Sequence, residues 1–253
     1  MKRPLPGSPV KLSDHRTQIA KVERRLFLKQ GLSLGALTLL GGCDMSQDSV
    51  VDKFLWGMSR WNDRAQAALF NPDKLAPTYI ESDITNPFPF NAFYSESRAP
   101  VIDGSAFRLE VSGKATGQRS WSLSDLRQLP QQSQITRHIC VEGWSAIGKW
   151  SGVPFRTFLE RAGADMNARY VGFRCADDYH TSIDMATALH PQTILALDFA
   201  DAELPVKYGY PMKLRIPTKL GFKNPKHIAA LFVTNDNPGG YWEDQGYNWF
   251  SGS

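Results

Sequence analysis

The residues best suited to chemistry in this 253-residue chain lie between Arg137 and Phe155, in the run Arg137-His138-Ile139-Cys140-Val141-Glu142-Gly143-Trp144-Ser145 and beyond. Ile135 to Val141 reads as a buried strand, so Cys140 sits at its end and Gly143 permits a sharp turn directly after it. A thiolate held on a rigid strand end is a good ligand for a soft metal, and Arg137 and His138 beside it are expected to favour the thiolate. Three other readings fit the same residues. Cys140 is a buried structural cysteine, or it pairs with Cys175 in a disulfide, or it is a nucleophile assisted by His138, which shares its strand face. Zinc is poorly supported, because the chain has neither C-x-x-C nor H-E-x-x-H.

A second segment, Lys213 to His227, places five basic residues within fourteen positions: Lys213, Arg215, Lys219, Lys223 and Lys226. Lysine heads and backbone N–H groups of a Gly/Pro-punctuated turn form a cradle for a phosphate. The plain alternative is a solvated, charged loop.

The elements that must position these residues follow from the pattern. Val50 to Phe70 has helical spacing and Pro72 ends it. From Pro77 to Pro100 the chain is too rich in Pro, Asn and aromatics for a helix and reads as an extended arm wrapped over the domain. Strands are expected at 107–111, 135–141, 170–175, 213–216 and 228–233. Short helices are expected after a cap at Ser122 or Ser124, across 154–163, and from Ile183 to Leu189. There is no internal repeat, no regular βαβ rhythm and no G-x-G-x-x-G after a strand, so a nucleotide-binding Rossmann domain is unsupported.

Composition narrows the function classes. Hydrophobic residues are 42% and charged residues 21%, which is globular, and three cysteines do not make a disulfide scaffold. The formal charge of +4 is misleading, because residues 1–42 hold eight basic and two acidic side chains and leave the rest at −2. Nucleic acid is therefore not an expected partner. That basic leader carries Arg24-Arg25-Leu26-Phe27-Leu28-Lys29 before an uncharged run from Gly31 to Gly42, the form of a twin-arginine export signal. Leu40-Gly41-Gly42-Cys43 has the form of a lipobox, so Cys43 is a candidate lipid anchor, with ordinary cleavage nearby as the alternative. The expected organisation is a signal peptide over 1–42, a tether, helix and Pro-rich arm over 43–90, and a catalytic domain over 91–253. Periplasmic localisation follows from it.

Three segments together carry a family resemblance: Cys140-Val141-Glu142-Gly143-Trp144-Ser145, Gly209 to Pro217, and Lys219-Leu220-Gly221-Phe222-Lys223-Asn224-Pro225-Lys226. They resemble the sulfite oxidase family of molybdopterin enzymes, and within it the periplasmic methionine-sulfoxide reductase catalytic subunits. The resemblance runs from about Asn91 to Phe250 and implies an α+β fold of mixed sheets and peripheral helices around one molybdenum–molybdopterin. It implies that Cys140 ligates the metal and is the catalytic residue. Asn91, Tyr94 and Ser95 resemble the family's Asn-x-x-Tyr-Glu stretch at the pterin, with Ser95 in place of Glu. Cys175 stands at a cofactor-contacting position that is Thr in the reductase. Tyr208 stands where relatives have Asn or His, and Lys213 where they have Arg. Asn224, Pro225 and Lys226 match the loop that holds the cofactor's phosphate end. Sulfite oxidases follow their cysteine with arginines that gather sulfite. Glu142 here would repel a dianion, so reduction of an S- or N-oxide is expected before sulfite oxidation. By the same resemblance the partners are a small-molecule or oxidised-protein substrate and a membrane b-type cytochrome as electron donor. No length remains for a dimerisation domain, so a monomer is expected. A cofactor-free periplasmic lipoprotein with a binding role is the alternative from another class.

Overall fold

The computed structural model describes residues 49–117 and 119–252. The leader and Cys43 lie outside the described residues, and so does everything expected of them. The chain divides into two units, residues 1–57 and 58–253. Of the first, the described part is the opening of helix α1 (Ser49–Leu69). The second contains the rest of α1 and all other elements.

Two five-stranded sheets form the frame of the second unit. The first has the order β2 (Ser120–Trp121), β1 (Leu109–Gly113), β10 (Ile228–Thr234), β5 (Tyr170–Cys175) and β6 (His180–Asp184). Its β1–β10 pair is parallel and its other pairs are antiparallel. The second runs β3 (Gln132–Ile139), β4 (Ser145–Pro154), β7 (Ile194–Phe199) and β8 (Ala202–Glu203), with β9 (Lys213–Arg215) paired to β7. Three short helices complete it: α2 (Leu123–Gln128), α3 (Phe155–Arg161) and α4 (Met185–Ala188). This is the α+β, mixed-sheet architecture expected from the sequence.

One hydrophobic core draws Leu109, Val111, Phe173 and Leu231 from the first sheet and Val153, Leu195 and Leu214 from the second, with Phe155 and Phe158 of α3 between them. A smaller aromatic cluster of Phe88, Trp150 and Tyr208 supports β4 and β7 from the other side. Phe88 comes from the Pro-rich arm. The arm is laced to the β3–β4 hairpin by Tyr79 N–H on the Ile135 carbonyl (3.0 Å) and Thr85 N–H on the Ile147 carbonyl (2.9 Å). A segment unable to form its own helix thus satisfies its backbone on strands.

Two sequence expectations are corrected. The Gly-rich stretch after Cys140 becomes a turn of a few residues followed by the ten-residue strand β4, paired to β3 from Ser145 to Gly152. Ile183 and Asp184 end β6 instead of opening a helix. Asp184 caps the single turn α4 by accepting the Thr187 N–H at 2.8 Å.

Candidate active site

Strand alternation sets the first part of the site. Along β3, Gln134, Thr136 and His138 are buried and Cys140 continues that face, while Arg137 is exposed on the other. Arg137 lies over the Tyr79 ring at 5.3 Å, so it does not favour a Cys140 thiolate as its neighbouring position suggested. The turn is closed by Cys140 N–H on the Trp144 carbonyl (2.9 Å) and Gly143 N–H on the Cys140 carbonyl (3.2 Å). Gly143 has φ +91°, a conformation L side chains rarely adopt. The cysteine is therefore held by the backbone on both sides.

Its thiol faces a cavity of about 190 Å³. Cys140 Sγ lies 3.7 Å from Glu142 Oε2, which also accepts from Trp144 Nε1 at 2.9 Å. Burial pushes the Cys140 thiol up, and the Glu142 carboxylate adds to this. Cys140 and Cys175 are both free thiols, so the disulfide reading is not realised. For the nucleophile reading, no hydrogen bond joins His138 to Cys140 among the described residues. His138 Nε2 lies 3.4 Å from Asn91 Nδ2, and Nδ1 has no partner among the described residues. Burial holds the imidazole neutral, and the charges of Lys213, Arg215 and Lys226 reinforce it.

The lysine-bearing segment forms the facing wall. It is not a solvated loop: Lys213, Lys219 and Lys223 are each 1% exposed, Arg215 0% and Lys226 7%. Lys219 and Lys223 are matched by protein groups. Lys223 pairs with Glu243 at 2.5 Å, and Lys219 donates to the Phe250 carbonyl at 2.8 Å with Asp184 at 3.9 Å. Lys226 donates to the carbonyls of Asn91 (2.5 Å) and Lys207 (3.0 Å). Lys213 stands over the Trp150 ring at 5.3 Å. Burial pushes its ammonium well down, Lys226 and Arg215 push it further, and the Cys140 thiol alone opposes them. Gly221 packs so closely on this wall that a Cβ there would come within 2.7 Å of His138 Nε2.

The cavity wall brings together Cys140, Asn91, Asn224, Pro225 and Lys226 from the residues expected by sequence. Tyr94 stands one contact away, donating to Asp177 Oδ2 at 2.8 Å. Burial raises its hydroxyl pKa, and Asp177 adds to that. Cys175 is buried at the end of β5, its thiol pushed well up by burial and by Asp177. The Tyr208 hydroxyl is engaged by the Phe88 carbonyl at 2.5 Å, within the aromatic cluster. Ser95 is exposed and meets Ser97 at 3.2 Å. Sequence reasoning missed Asp177, which lines the cavity beside Tyr179. Its one signal was a carboxylate two positions after a strand that ends in a cysteine. Phe93, Phe222 and Trp242 give the rest of the wall an aromatic character.

Lys213, Arg215 and Lys226 form no ion pair within 4.0 Å among the described residues. An isolated buried cation is costly unless an opposite charge joins it. A thiol that shares its cavity with Lys226, with Lys213 buried close enough to feel the thiol's charge, suits an anionic group that carries a soft metal at one end and a phosphate at the other. The donor set fits molybdopterin.

Comparison with known proteins agrees with this geometry. Residues 96–242 match the family described as oxidoreductase molybdopterin binding domain. A putative protein-methionine-sulfoxide reductase subunit YedZ1 of Azospira oryzae is 62% identical over 230 residues, covering 91% of this chain and 88% of that protein. The protein-methionine-sulfoxide reductase catalytic subunit MsrP of Campylobacter jejuni is 29% identical over 195 residues, 68% of this chain and 65% of its own length. The MsrP of Xanthomonas campestris is 30% identical, and the chain spans 57% of its length. The sulfane dehydrogenase SoxCD of Paracoccus pantotrophus shares the fold, with a TM-score of 0.51 at 18% identity over 55% of this chain and 40% of that one. The buried cations around Cys140 and the match over most of the folded unit lead to one conclusion: the chain belongs to the oxidoreductase molybdopterin-binding domain family, with a sulfite-oxidase-type fold, and is a molybdopterin oxidoreductase.

Proposed function

We propose that the chain is an exported reductase that removes oxygen from an S- or N-oxide, with protein-bound methionine sulfoxide as the leading substrate class. The observation that carries it is the Cys140 thiol in a cavity that Lys226 also lines, with Lys213 and Arg215 buried nearby and none of the three in an ion pair within 4.0 Å among the described residues. When bound, a molybdenum centre held by Cys140 would supply the two-electron couple for oxygen-atom transfer.

The chain's own residues do the rest. Cys140 is the metal ligand; burial and Glu142 disfavour its free thiolate, so the anion needs a cation at Sγ. Asn91, Asn224, Pro225 and Lys226 of the cavity wall would hold the organic part, and the buried Lys213 would add positive charge. Tyr94, Ser95, Cys175 and Tyr208 belong to the surrounding frame. The aromatic mouth and the carboxylates of Glu142 and Asp177 favour a neutral, dipolar oxide over a dianion such as sulfite. Balanced overall, the oxide takes two electrons and two protons and yields the reduced compound and water. Methionine-sulfoxide reduction is named for the Azospira, Campylobacter and Xanthomonas relatives, which supports this direction.

The Arg24-Arg25 leader supports periplasmic export by the folded route, and Leu40 to Cys43 supports a lipid anchor at Cys43. Electrons then come from a membrane partner, a b-type cytochrome, to a monomeric catalytic chain. No helix among the described residues is long and apolar enough to cross a membrane.

Protein purified from a host that makes the cofactor should contain molybdenum and pterin in equal amount with the chain. It should reduce sulfoxides with an artificial donor and oxidise sulfite poorly. Cys140→Ala should lose metal and activity together; a variant that keeps both refutes the ligand role. Efficient sulfite oxidation by the parent refutes the reductase direction.

A further inference from the structure

Arg215 occupies an unusual place in this architecture. It is fully buried on β9, and none of its hydrogen-bond partners among the described residues is a carboxylate. Its two terminal nitrogens reach into different parts of the chain. Nη1 donates to Asn224 Oδ1 (3.1 Å) and the Ile216 carbonyl (3.2 Å). Nη2 donates to Thr136 Oγ1 (3.2 Å) and the Arg137 carbonyl (2.5 Å), both on β3 just ahead of Cys140.

The residue at the far end of this bridge is itself fixed. Asn224 Oδ1 also accepts the Ile216 N–H at 2.7 Å, and its Nδ2 donates to the Leu220 carbonyl at 3.0 Å. The next two residues, Pro225 and Lys226, line the cavity. Arg215 therefore joins the strand that carries the cysteine to the loop that carries the anion-binding wall. The β9 backbone that holds it is paired through Ile194 of β7. A planar fork spans two such partners at once, whereas a lysine offers one point.

We propose that Arg215 is a positioning residue that sets the spacing between the Cys140 strand and the Asn224–Lys226 loop, and that its charge tunes the metal site. The tuning half rests on the cofactor reading; the bridging half does not. Were Arg215 only a space-filling side chain, methionine of similar volume would replace it at little cost, as happens at other buried ionic sites.

The test uses the metal-loaded chain with Arg215→Met, Arg215→Lys and Thr136→Val. Amide hydrogen exchange should quicken in 132–139 and 216–226 together in both Arg215 variants, with β5 and β6 unchanged. Thr136→Val, which loses one of the four bonds, should quicken 132–139 alone. The molybdenum reduction potential should fall in Arg215→Met and be unmoved in Thr136→Val. Parent-like exchange in both segments of either Arg215 variant overturns the bridge. An unchanged potential in Arg215→Met, or an equal fall in Thr136→Val, overturns the tuning. A parent chain without molybdenum refutes the cofactor reading, and the exchange data still decide the bridge. If Arg215→Met does not fold, Arg215→Lys and Thr136→Val decide the bridge by the same measurement.

Discussion

Replacing Glu243 by Ala leaves the Lys223 ammonium buried without a counter-charge. The pair is almost completely enclosed, with side chains 1% and 4% exposed and 2.5 Å between Nζ and Oε1. Thr181 Oγ1 donates to the same carboxylate oxygen at 2.7 Å. Removing one partner of such a pair costs about 3–5 kcal/mol. A second route to the magnitude starts from the lysine. Burial already pushes Lys223 below its ordinary value with Glu243 present. Without Glu243 the chain escapes by folding with Lys223 neutral, and discharging a lysine of pKa about 10.4 at pH 7 costs about 4.6 kcal/mol. The two figures agree. At roughly 2–4 °C per kcal/mol for a domain of this size, the midpoint should fall by about 6–20 °C. Urea unfolding followed by tryptophan fluorescence, from pH 7 to 10, measures it. The penalty should shrink as pH rises, because a neutral lysine costs less to make there. The double variant Lys223→Met/Glu243→Leu should recover most of the loss. A Glu243→Ala chain within about 1 kcal/mol of the parent at pH 7, or a penalty that ignores pH, refutes the reasoning. Since Lys223 closes the short turn carrying Gly221 and Phe222, and Trp242 precedes Glu243, the pair also ties two walls of the cavity together.

Three further outcomes are expected. Glu142→Gln removes the carboxylate beside the thiol, so kcat/KM for sulfite should rise by roughly tenfold while that for a neutral sulfoxide changes little; an unchanged ratio rejects the charge-exclusion argument. Burial lowers Lys219 from 10.5 to about 7, so above that value the folded chain binds fewer protons than the unfolded one. Stability therefore rises with pH across this window, and Lys219→Met should flatten the slope by up to about 1.4 kcal/mol per pH unit in chemical unfolding. Ser122→Ala removes the cap of α2, whose Oγ accepts the Asp125 N–H at 3.1 Å, and should cost about 1 kcal/mol, read as a lower thermal midpoint with the absorption of the bound cofactor unaffected.

What the sequence revealed depended on how local the deciding forces were. β5 runs from Tyr170 to Cys175 as its pattern predicts, and Ser122 supplies the α2 cap because capping needs a hydroxyl only three residues away. β4 was hidden because Gly148 and Gly152 read as loop residues. They are tolerated there because Phe88, Phe199 and the Leu195 backbone crowd against them, contacts distant in the chain. The burial of the lysines was also illegible. It depends on Glu243, Asp184 and the Phe250 carbonyl, which the linear pattern does not bring near. Cys140 could be singled out because a strand end and a glycine turn are neighbours in sequence. Asp177 could not, because its meaning comes from Tyr94, eighty-three positions earlier.

The Pro-rich arm has a further consequence. Asn91 and Phe93 at its end wall the cavity, its backbone is stitched to β3 and β4, and the Lys226 ammonium grips the Asn91 carbonyl. Anything held beside Cys140 therefore meets the arm as well as the sheets, and a change that frees the Asn91 carbonyl from Lys226 reaches the cavity wall from a segment that belongs to neither sheet.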